Sequence, residues 1–361
     1  MKHYDQEEDF HSEDRKQSRK TRKRIQERDR SQFKKSDQDQ PREQEPIFHH
    51  LNRGRVITIS GEGSLVDFDG TIYLCSLKGL LKKTAQKTKN LVAVGDWVRF
   101  EIVSEKEGVI SQIEARSSFL SRSDISGKKE QLIAVNIDQA IISACIANPP
   151  LKPSLIDRYL IAAEKGKMHP IIIINKIDLL DTLSDQQRYY YEEFLKAYEP
   201  LGVPILSVST KTGVGIDSLR SLLQNKTSVF SGQSGVGKSS LLNACFHLKL
   251  KIGDLAQKTF KGTHTTTTAN LLPLPQGGYC VDTPGIRSFG IWKLTKDEIK
   301  HHFFDIKEIG QNCKYLDCAH NEEPSCAVLK ALEENHLPML RYQSYRSLME
   351  EVNNQSGKTW S

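Results

Sequence analysis

The sequence contains 361 residues, of which 37% are hydrophobic and 27% charged, with a net charge of +6. At about 150 residues per domain, this length predicts two or three domains. There is no run of about 18 apolar residues and no apolar stretch behind a basic start, so neither a spanning helix nor a secretory signal is predicted. Seven cysteines spread over so long a chain argue against a disulfide scaffold and favour a reducing compartment. We therefore expect a soluble, cytoplasmic protein that does not act at a membrane.

The first 46 residues contain almost no large apolar side chains. Acidic residues cluster at the beginning of this segment and basic residues follow them. Such a segment does not bury enough surface to offset its ordering entropy, so we expect residues 1–46 to be a disordered, charged tail. Two interpretations stay open: a solvated tail, or a basic arm that contacts nucleic-acid phosphates.

Short alternating apolar runs separated by glycines occupy the next part of the chain, up to residue 118. The predicted strands lie at 55–59, 64–68, 71–75, 96–102 and 108–113. Closely spaced strands with turn signals between them predict a small β-barrel. A lysine-rich loop follows the third strand, and a basic barrel is a common platform for nucleic acid, although such a loop is also typical of a merely solvated surface.

From about Asp138 onward, apolar strands alternate with helical stretches. Predicted strands at 140–142, 171–174, 204–206 and 228–230 are separated by predicted helices at 154–160, 184–195 and 215–223, with Ser154 and Ser184 as N-caps of the first two. Continuous apolar strands between helices predict a parallel sheet that is covered on both faces.

A glycine-rich phosphate-loop motif follows the last of these strands and precedes a helical run. Its backbone amides are expected to surround the phosphates of a nucleotide, with Lys238 reaching the β and γ oxygens and the Ser239 hydroxyl coordinating Mg²⁺. The predicted phosphate-binding residues are Gly232, Gln233, Ser234, Gly235, Val236, Gly237, Lys238, Ser239 and Ser240.

Two further segments fit a nucleotide hydrolase. Asp282 ends an apolar strand and begins an Asp-Thr-Pro-Gly motif, in which the acid is predicted to help hold Mg²⁺ and the amide of Gly285 to sense the γ-phosphate. A threonine-rich segment, residues 262–268, lies between the two motifs and contains Thr266, a further predicted Mg²⁺ ligand. Two interpretations of this segment stay open: its β-propensity favours a strand, and its hydroxyl groups next to a glycine favour a mobile switch that senses Mg²⁺.

The base of the nucleotide is predicted from two motifs that precede the phosphate loop. Asn175, Lys176, Ile177 and Asp178 follow a strand, and the Asp178 carboxylate is expected to accept hydrogen bonds from both N1–H and N2–H of guanine, which adenine does not offer. Ser209 and Thr210 follow the next strand and are expected to present an amide to guanine O6. Together with a phosphate loop, these motifs specify GTP.

The order of the motifs differs from that of ordinary small GTPases, in which the phosphate loop comes first and the guanine motifs last. The same site forms from a circularly permuted sheet, because ligands bind at the carboxyl ends of parallel strands whatever the chain order. The permutation ties the γ-phosphate sensor covalently to the region that follows it.

That following region contains Cys313, Cys318, His320 and Cys326. Three thiolates and one imidazole at this spacing suit one tetrahedral Zn²⁺, and four protein ligands predict a structural site. We expect the other cysteines to be small core residues, and the His301-His302 pair to lie on a helix surface rather than to bind metal.

The combination of barrel, permuted GTP motifs and this zinc spacing resembles the RsgA (YjeQ) family of bacterial GTPases that act in small-ribosomal-subunit biogenesis. The resemblance covers roughly residues 47–350. It implies an OB-fold barrel at 47–118, a permuted α/β GTPase domain at 119–290 and a zinc-binding, mainly helical domain at 291–361. It also implies hydrolysis of GTP that is stimulated by the small ribosomal subunit during late maturation, with the subunit and its rRNA as partners. We expect the protein to be a monomer.

The catalytic prediction is His264. Many GTPases place a glutamine directly after the Asp-x-x-Gly motif to orient the attacking water, and Ile286 occupies that position here. The family resemblance assigns this role to the histidine of the threonine-rich segment, although an RNA-contacting or packing role for His264 stays open. Two other functions also stay open: a nucleic-acid-binding module in which GTP acts only as an affinity switch, and a permuted GTPase of the large subunit.

Overall fold

A computed structural model describes residues 51–79, 81, 91–123, 130–246, 269–282 and 294–357. The predictions for the charged tail, the lysine-rich loop beyond residue 81 and the threonine-rich segment fall outside the described residues. No helix in the described parts of the chain combines the length and apolar character needed to cross a membrane.

The first strands form a closed barrel, as the alternating pattern predicts. Around the barrel the strands follow the order β1-β2-β3-β5-β4, and β3 pairs with β5 in parallel to close it. Its interior is filled by alternate side chains such as Val56, Phe100 and Ile110, none of which is exposed. The strand bounds are Asn52–Ile59 (β1), Ser64–Phe68 (β2), Thr71–Leu77 (β3), Trp97–Ile102 (β4) and Glu107–Ile113 (β5).

A β-hairpin that the sequence analysis missed connects the barrel with the next layer. Its strands are Phe119–Ser123 (β6) and Glu130–Val135 (β7), which pair antiparallel. Polar and apolar residues do not alternate regularly over 119–123, so the two-residue period that reveals the barrel strands is absent there.

The second layer is a sheet in the order β10-β9-β8-β11-β13-β12, parallel except for β12. All residues of β8 and β11 are buried, as expected for central strands covered on both faces. The chain runs outward from β8 to β10 and then returns to the other side of β8, which creates a topological switch point between β8 and β11. The strands are Gln139–Cys145 (β8), His169–Asn175 (β9), Ile205–Ser207 (β10), Thr227–Gly232 (β11), Asn270–Pro273 (β12) and Tyr279–Asp282 (β13).

Four helices flank this sheet: Pro153–Lys165 (α1), Asp185–Tyr198 (α2), Ile216–Leu223 (α3) and Lys238–Phe246 (α4), counted over the described residues. The prediction that Ser154 caps α1 is wrong, because Lys152 is the N-cap and Pro153 takes the first helical position, where its missing N–H costs nothing. The prediction for Ser184 is confirmed, since its hydroxyl accepts from the Gln187 amide in a capping box.

The C-terminal region is helical, as expected. Short helices at Lys296–His302 (α5), Phe304–Gly310 (α6) and Ala327–Glu333 (α7) precede a long helix at Met339–Gly357 (α8). Their shared core includes Ile299, Phe303, Val328 and Leu348, all at most 1% exposed. The C-terminal region therefore has its own hydrophobic core, and its helices α5 and α8 pack against α1.

Candidate functional site

The predicted nucleotide motifs meet at one edge of the parallel sheet. The loops after β9, β10 and β11 and the last residue of β13 all lie at the carboxyl ends of their strands. The motifs come together although their order along the chain is permuted, because the position of a strand in the sheet, not in the sequence, decides where its carboxyl end lies.

The phosphate loop leaves β11 at Gly232 and enters α4 at Lys238. Gly232 has a φ of +131°, and a Cβ there would lie 2.0 Å from the carbonyl oxygen of Ser143 on the neighbouring strand, so only glycine allows this turn. The Lys238 ammonium donates to the carbonyl oxygens of Gly232 at 2.8 Å and Gln233 at 3.0 Å. Ser234 and Gly235 are exposed at the tip. The loop therefore presents backbone amides and one lysine to a ligand at the helix start.

Asn175 holds the guanine motif against the phosphate loop. It is 1% exposed, and its Nδ2 donates to the carbonyl oxygen of Val236 at 2.8 Å, while its Oδ1 accepts from the Lys176 amide at 2.8 Å. Lys176 has a left-handed backbone, with φ of +63°, and its ammonium donates to the carbonyl oxygen of Asn148. Both side chains are thus engaged with backbone groups, which fixes the position of the Asp178 that follows.

Asp178 is the acidic side chain of this motif and is held by contacts with the loop after β10. Its Oδ1 accepts from the Ser209 hydroxyl at 2.6 Å, and its side chain is 12% exposed. The Ser209 hydroxyl in turn accepts from the amides of Lys211 and Thr212, both at 3.2 Å. The Lys211 ammonium lies 4.0 Å from Asp178 Oδ2. This chain of contacts holds a carboxylate with spare acceptor capacity at the rim of the site.

The remaining predicted residues of the nucleotide site are not all described. Asp282 ends β13, and its backbone is in register with Asn270 of β12. His264, Thr266 and Gly285 lie outside the described residues. The hairpin of β12 and β13 begins soon after the threonine-rich segment and ends where the Asp-Thr-Pro-Gly motif begins, so it connects the two predicted switch segments.

The cysteine and histidine side chains predicted to bind zinc converge into one cluster, Cys313, Cys318, His320 and Cys326, whose ligand atoms all lie within 4.8 Å of one another. The Sγ atoms of Cys313 and Cys326 are 3.8 Å apart, and His320 Nδ1 lies 3.6 Å from the first and 3.5 Å from the second. Zinc–sulfur bonds of about 2.3 Å and zinc–nitrogen bonds of about 2.0 Å in a tetrahedron require sulfur–sulfur separations of about 3.8 Å and sulfur–nitrogen separations of about 3.5 Å. Cys313, His320 and Cys326 are therefore spaced as Zn²⁺ requires, and Cys318 supplies the fourth ligand atom of a donor set whose chemistry fits this ion.

Neighbouring groups hold these ligands in place. Burial lowers the pKa of His320, which favours the neutral imidazole that a metal needs. A Cβ at Gly310 would lie 3.0 Å from the His320 ring, so glycine makes room for it. The Glu323 carboxylate accepts from the amides of Asn321 and Ala319, and these backbone hydrogen bonds lower its pKa to about 2. The Glu323 carboxylate thus stabilises the loop that carries His320 between Cys318 and Cys326.

The structure corrects one prediction about histidine and confirms those about cysteine. His301 is 73% exposed as predicted, but His302 is only 11% exposed, and its Nε2 lies 3.0 Å from the Asp157 carboxylate. Its position three residues after the buried Ile299 is the signal that the sequence analysis missed. The remaining cysteines, Cys75, Cys145, Cys245 and Cys280, are buried as expected.

Two sets of contacts around the site were not predicted, since they join residues far apart in sequence. The Thr58 hydroxyl of the barrel donates to Asn270 Oδ1 at 2.9 Å, and the Tyr279 hydroxyl donates to Asp67 of the barrel at 2.8 Å. Asp157 of α1 bonds to residues of the C-terminal helices. Both the barrel and the C-terminal region are therefore attached to the nucleotide-binding sheet by side-chain hydrogen bonds.

Comparison with known proteins shows similarity over both the barrel and the sheet. The family model for the RsgA GTPase matches residues 113–292, and the model for the RsgA N-terminal domain matches residues 53–110. The small ribosomal subunit biogenesis GTPase RsgA of Bacteroides fragilis is 36% identical over 302 residues, covering 83% of this chain and 96% of that protein. The protein of the same name from Shewanella oneidensis is 36% identical over 322 residues, covering 88% and 89%.

Solved structures agree with this similarity. The crystal structure of YjeQ from Thermotoga maritima matches with a TM-score of 0.64 at 32% identity, covering 84% of this chain and 98% of that one. YloQ, described as a circularly permuted GTPase, matches with a TM-score of 0.62 at 28% identity, covering 86% and 98%.

Proposed function

Because the chain belongs to the RsgA family of GTPases, we propose that this GTP hydrolase binds the small ribosomal subunit during late maturation and that rRNA stimulates its turnover. The observation that carries the proposal is the meeting of the phosphate loop and the Asp178 carboxylate at one sheet edge, in a chain that also has a barrel and a Cys₃His cluster. The related proteins named as small ribosomal subunit biogenesis GTPases support the choice of subunit.

Guanine recognition is assigned to Asp178. Its Oδ1 already bonds to Ser209, and its remaining lone pairs accept N1–H and N2–H of the base. Adenine places an acceptor at N1, so the same carboxylate would lose its hydrogen bonds and be desolvated without compensation. Thr210, in the turn held by Ser209, completes recognition at O6.

Phosphate binding is assigned to residues 232–240. Lys238 now donates to two loop carbonyl oxygens, and these bonds are exchanged for bonds to the β and γ oxygens of GTP, which carry full negative charge. Ser239, Thr266 and Asp282 would hold Mg²⁺, which when bound neutralises the charge that develops on the phosphates.

The orientation of the attacking water is assigned to His264. The residue after the Asp-x-x-Gly motif, Ile286, has no group that accepts a hydrogen bond from water. An imidazole accepts such a bond at neutral pH, and in the threonine-rich segment it lies close in sequence to the Mg²⁺ ligand Thr266. Slow turnover by the isolated protein and faster turnover on the subunit follow if the subunit positions this segment.

The Cys₃His cluster is assigned to one structural Zn²⁺. All four coordination positions are filled by Cys313, Cys318, His320 and Cys326, so none is left for a catalytic water. The ion would bind and hold the loop of residues 313–326 against the helical core.

Subunit binding is assigned to the barrel and the C-terminal domain together. The barrel is hydrogen-bonded to the β12–β13 hairpin through Thr58 and Asp67, and this hairpin connects the two switch segments. The GTP-bound arrangement of the switches would therefore favour one placement of the barrel, so that both flanking domains contact rRNA at once and gain avidity. We expect the GTP form to bind small subunits more tightly than the GDP form, and the subunit to stabilise the GTP form reciprocally.

The test is multiple-turnover GTP hydrolysis with no ribosomal particle, with small subunits and with large subunits. The proposal expects stimulation by small subunits alone. Binding to small subunits that depends on GTP without any stimulation would indicate an affinity switch instead, and stimulation by large subunits alone would place the protein on the other particle.

A further inference from the structure

Helix α1 lies between the phosphate loop and the C-terminal domain. One side of it packs against β8, β9 and β11, and the other side packs against α5 and α8. Asp157 and Tyr159 are two positions apart, so their side chains leave the helix about 200° apart and reach these two opposite neighbours. Both residues are almost completely buried, at 0% and 2% exposure.

The inner side of α1 contacts the phosphate loop directly. The Tyr159 side chain is hydrogen-bonded to the backbone of Gly232, the residue at which the loop begins. Tyr159, Leu155 and Ile156 border a cavity of about 10 Å³ whose opposite wall includes Gly232 and Val236. A space of this size holds about one water molecule. Because the packing leaves so little free volume, a shift of the loop must displace α1, or the reverse.

The outer side of α1 is fixed to the C-terminal domain by a buried charge cluster. The Asp157 carboxylate accepts from Arg341 Nη1 of α8 at 2.6 Å, lies 3.0 Å from His302 Nε2 of α5, and also accepts from the hydroxyls of Tyr198 and Ser344. Although burial alone raises its pKa, the His302 hydrogen bond and the Arg341 charge hold the pKa of Asp157 below its ordinary value.

Further contacts extend this attachment along the helix. Arg341 Nε also donates to Asp305 at 3.0 Å, and the Lys165 ammonium pairs with Glu298 at 2.6 Å. A buried ion pair tolerates little change of geometry, because a separated partner would leave an uncompensated charge. The C-terminal domain is therefore expected to follow α1 as a rigid body.

We propose that Tyr159 is a positioning residue for the phosphate loop and that α1 carries the effect of nucleotide binding from this loop to the C-terminal domain. The proposal rests on GTP binding at the loop, as proposed above. When the loop closes around the phosphates, Gly232 moves or stiffens, Tyr159 follows it, and the Asp157 cluster passes the change to α5 and α8. By linkage, a partner that binds the C-terminal domain must change nucleotide affinity by the same coupling free energy.

The test is Tyr159→Phe, which removes only the hydroxyl. In the full-length wild-type protein, saturating GDP should slow amide hydrogen exchange in α5 and α8. In Tyr159→Phe the affinity for GDP should fall about three- to tenfold, because a buried backbone group loses its partner. At saturating GDP the variant should lose the slowing in α5 and α8 but keep it in the phosphate loop.

The matched control is Tyr191→Phe. Tyr191 is a buried tyrosine in the same core whose hydroxyl lies 3.1 Å from Ser207 Oγ, away from the loop, so this variant should keep both the affinity and the slowing. A reciprocal arm uses His302→Gln, which perturbs the outer side of α1 and should change the GDP dissociation rate severalfold while the zinc content stays unchanged.

The outcomes separate the two proposals. If the wild type binds and hydrolyses GTP but GDP leaves exchange in α5 and α8 unchanged, or if Tyr159→Phe retains that slowing, the role of α1 is refuted while the proposed function stands. If the wild type binds no guanine nucleotide, the proposed function is refuted and the inference with it.

Discussion

Replacing Asp178 by asparagine tests the assignment of guanine recognition in one step. The carboxylate is 12% exposed, and one oxygen is held by Ser209 at 2.6 Å, so the substitution alters a fixed and nearly dehydrated group. Asparagine offers one acceptor where aspartate offers two, and its NH₂ group faces a guanine N–H. A lost hydrogen bond to a charged group costs about 1.5–3 kcal/mol, and an unpaired buried donor adds to it. A total of about 2–4 kcal/mol weakens GTP binding by about 30- to 1,000-fold.

The measurement is the Kd of GTP and of xanthosine triphosphate for wild type and variant. Xanthine has an acceptor oxygen at C2, which the asparagine NH₂ group satisfies, so Asp178→Asn should bind xanthosine triphosphate more tightly than GTP. The matched control is Asp181→Asn, the same change at an exposed position of the same 3₁₀ helix, which should leave both constants unchanged. If Asp178→Asn binds both nucleotides as the wild type does, Asp178 does not contact the base and the guanine assignment is wrong.

Two further predictions concern the metal and the reaction. Purified protein should contain one zinc per chain, and the Cys318→Ser variant should lose both the zinc and the protease resistance of residues 294–357. The control variant Cys245→Ala, at a buried cysteine of α4, should keep both. A zinc-free wild type with fully titratable thiols would contradict this prediction. The His264→Ala variant should retain GTP affinity and tight subunit binding but lose about 100-fold or more in stimulated turnover. The control variant His301→Ala, at an exposed histidine, should behave as the wild type does. Unchanged turnover of His264→Ala would show that His264 is not catalytic.

The local sequence pattern was sufficient to predict elements whose residue spacing within one segment determines their structure. Alternating residues predicted each barrel strand, the continuous apolar runs predicted the parallel sheet, and the spacing from Cys313 to Cys326 predicted a cluster that the fold indeed closes. The phosphate-loop and Asn-Lys-Ile-Asp motifs identified the RsgA GTPase family for the same reason, because each consists of a few residue types at fixed spacing.

The local sequence pattern did not predict side-chain contacts between residues that are far apart in the chain. Asp157 and Arg341 are separated by more than half of the sequence, and a buried acid at the middle of a helix is by itself no sign of a buried arginine elsewhere. His302 looked like a surface residue for the same reason. The contact of Asn175 was not predicted either: its residue type identified the motif, but nothing in the local pattern showed that its side chain would donate to the Val236 carbonyl oxygen.

In the proposed mechanism, nucleotide binding reaches the C-terminal domain by two routes, which should respond differently to GTP and GDP. Residues 286–293 follow directly after the Asp-Thr-Pro-Gly motif, whose Gly285 is assigned to the γ-phosphate, so we expect this covalent route to distinguish GTP from GDP. Helix α1 contacts the start of the phosphate loop at Gly232, and this loop is assigned to phosphates that both nucleotides share. The route through α1 should therefore report that the site is filled, whichever nucleotide fills it.

A short Gly-Ser insertion between Arg287 and Ser288 separates the two routes, because it loosens the covalent connection and leaves α1 untouched. With the insertion, GDP and a non-hydrolysable GTP analogue should slow hydrogen exchange in α8 equally, and the difference between the two forms in small-subunit binding should decrease. Tyr159→Phe should show the opposite pattern: it retains a difference between GTP and GDP but loses the response common to both. The two changes act on separate connections, so their effects should add in the double variant. An insertion variant that still discriminates fully between GTP and GDP at α8 would show that γ-phosphate sensing reaches the domain through the folded contacts rather than along the chain.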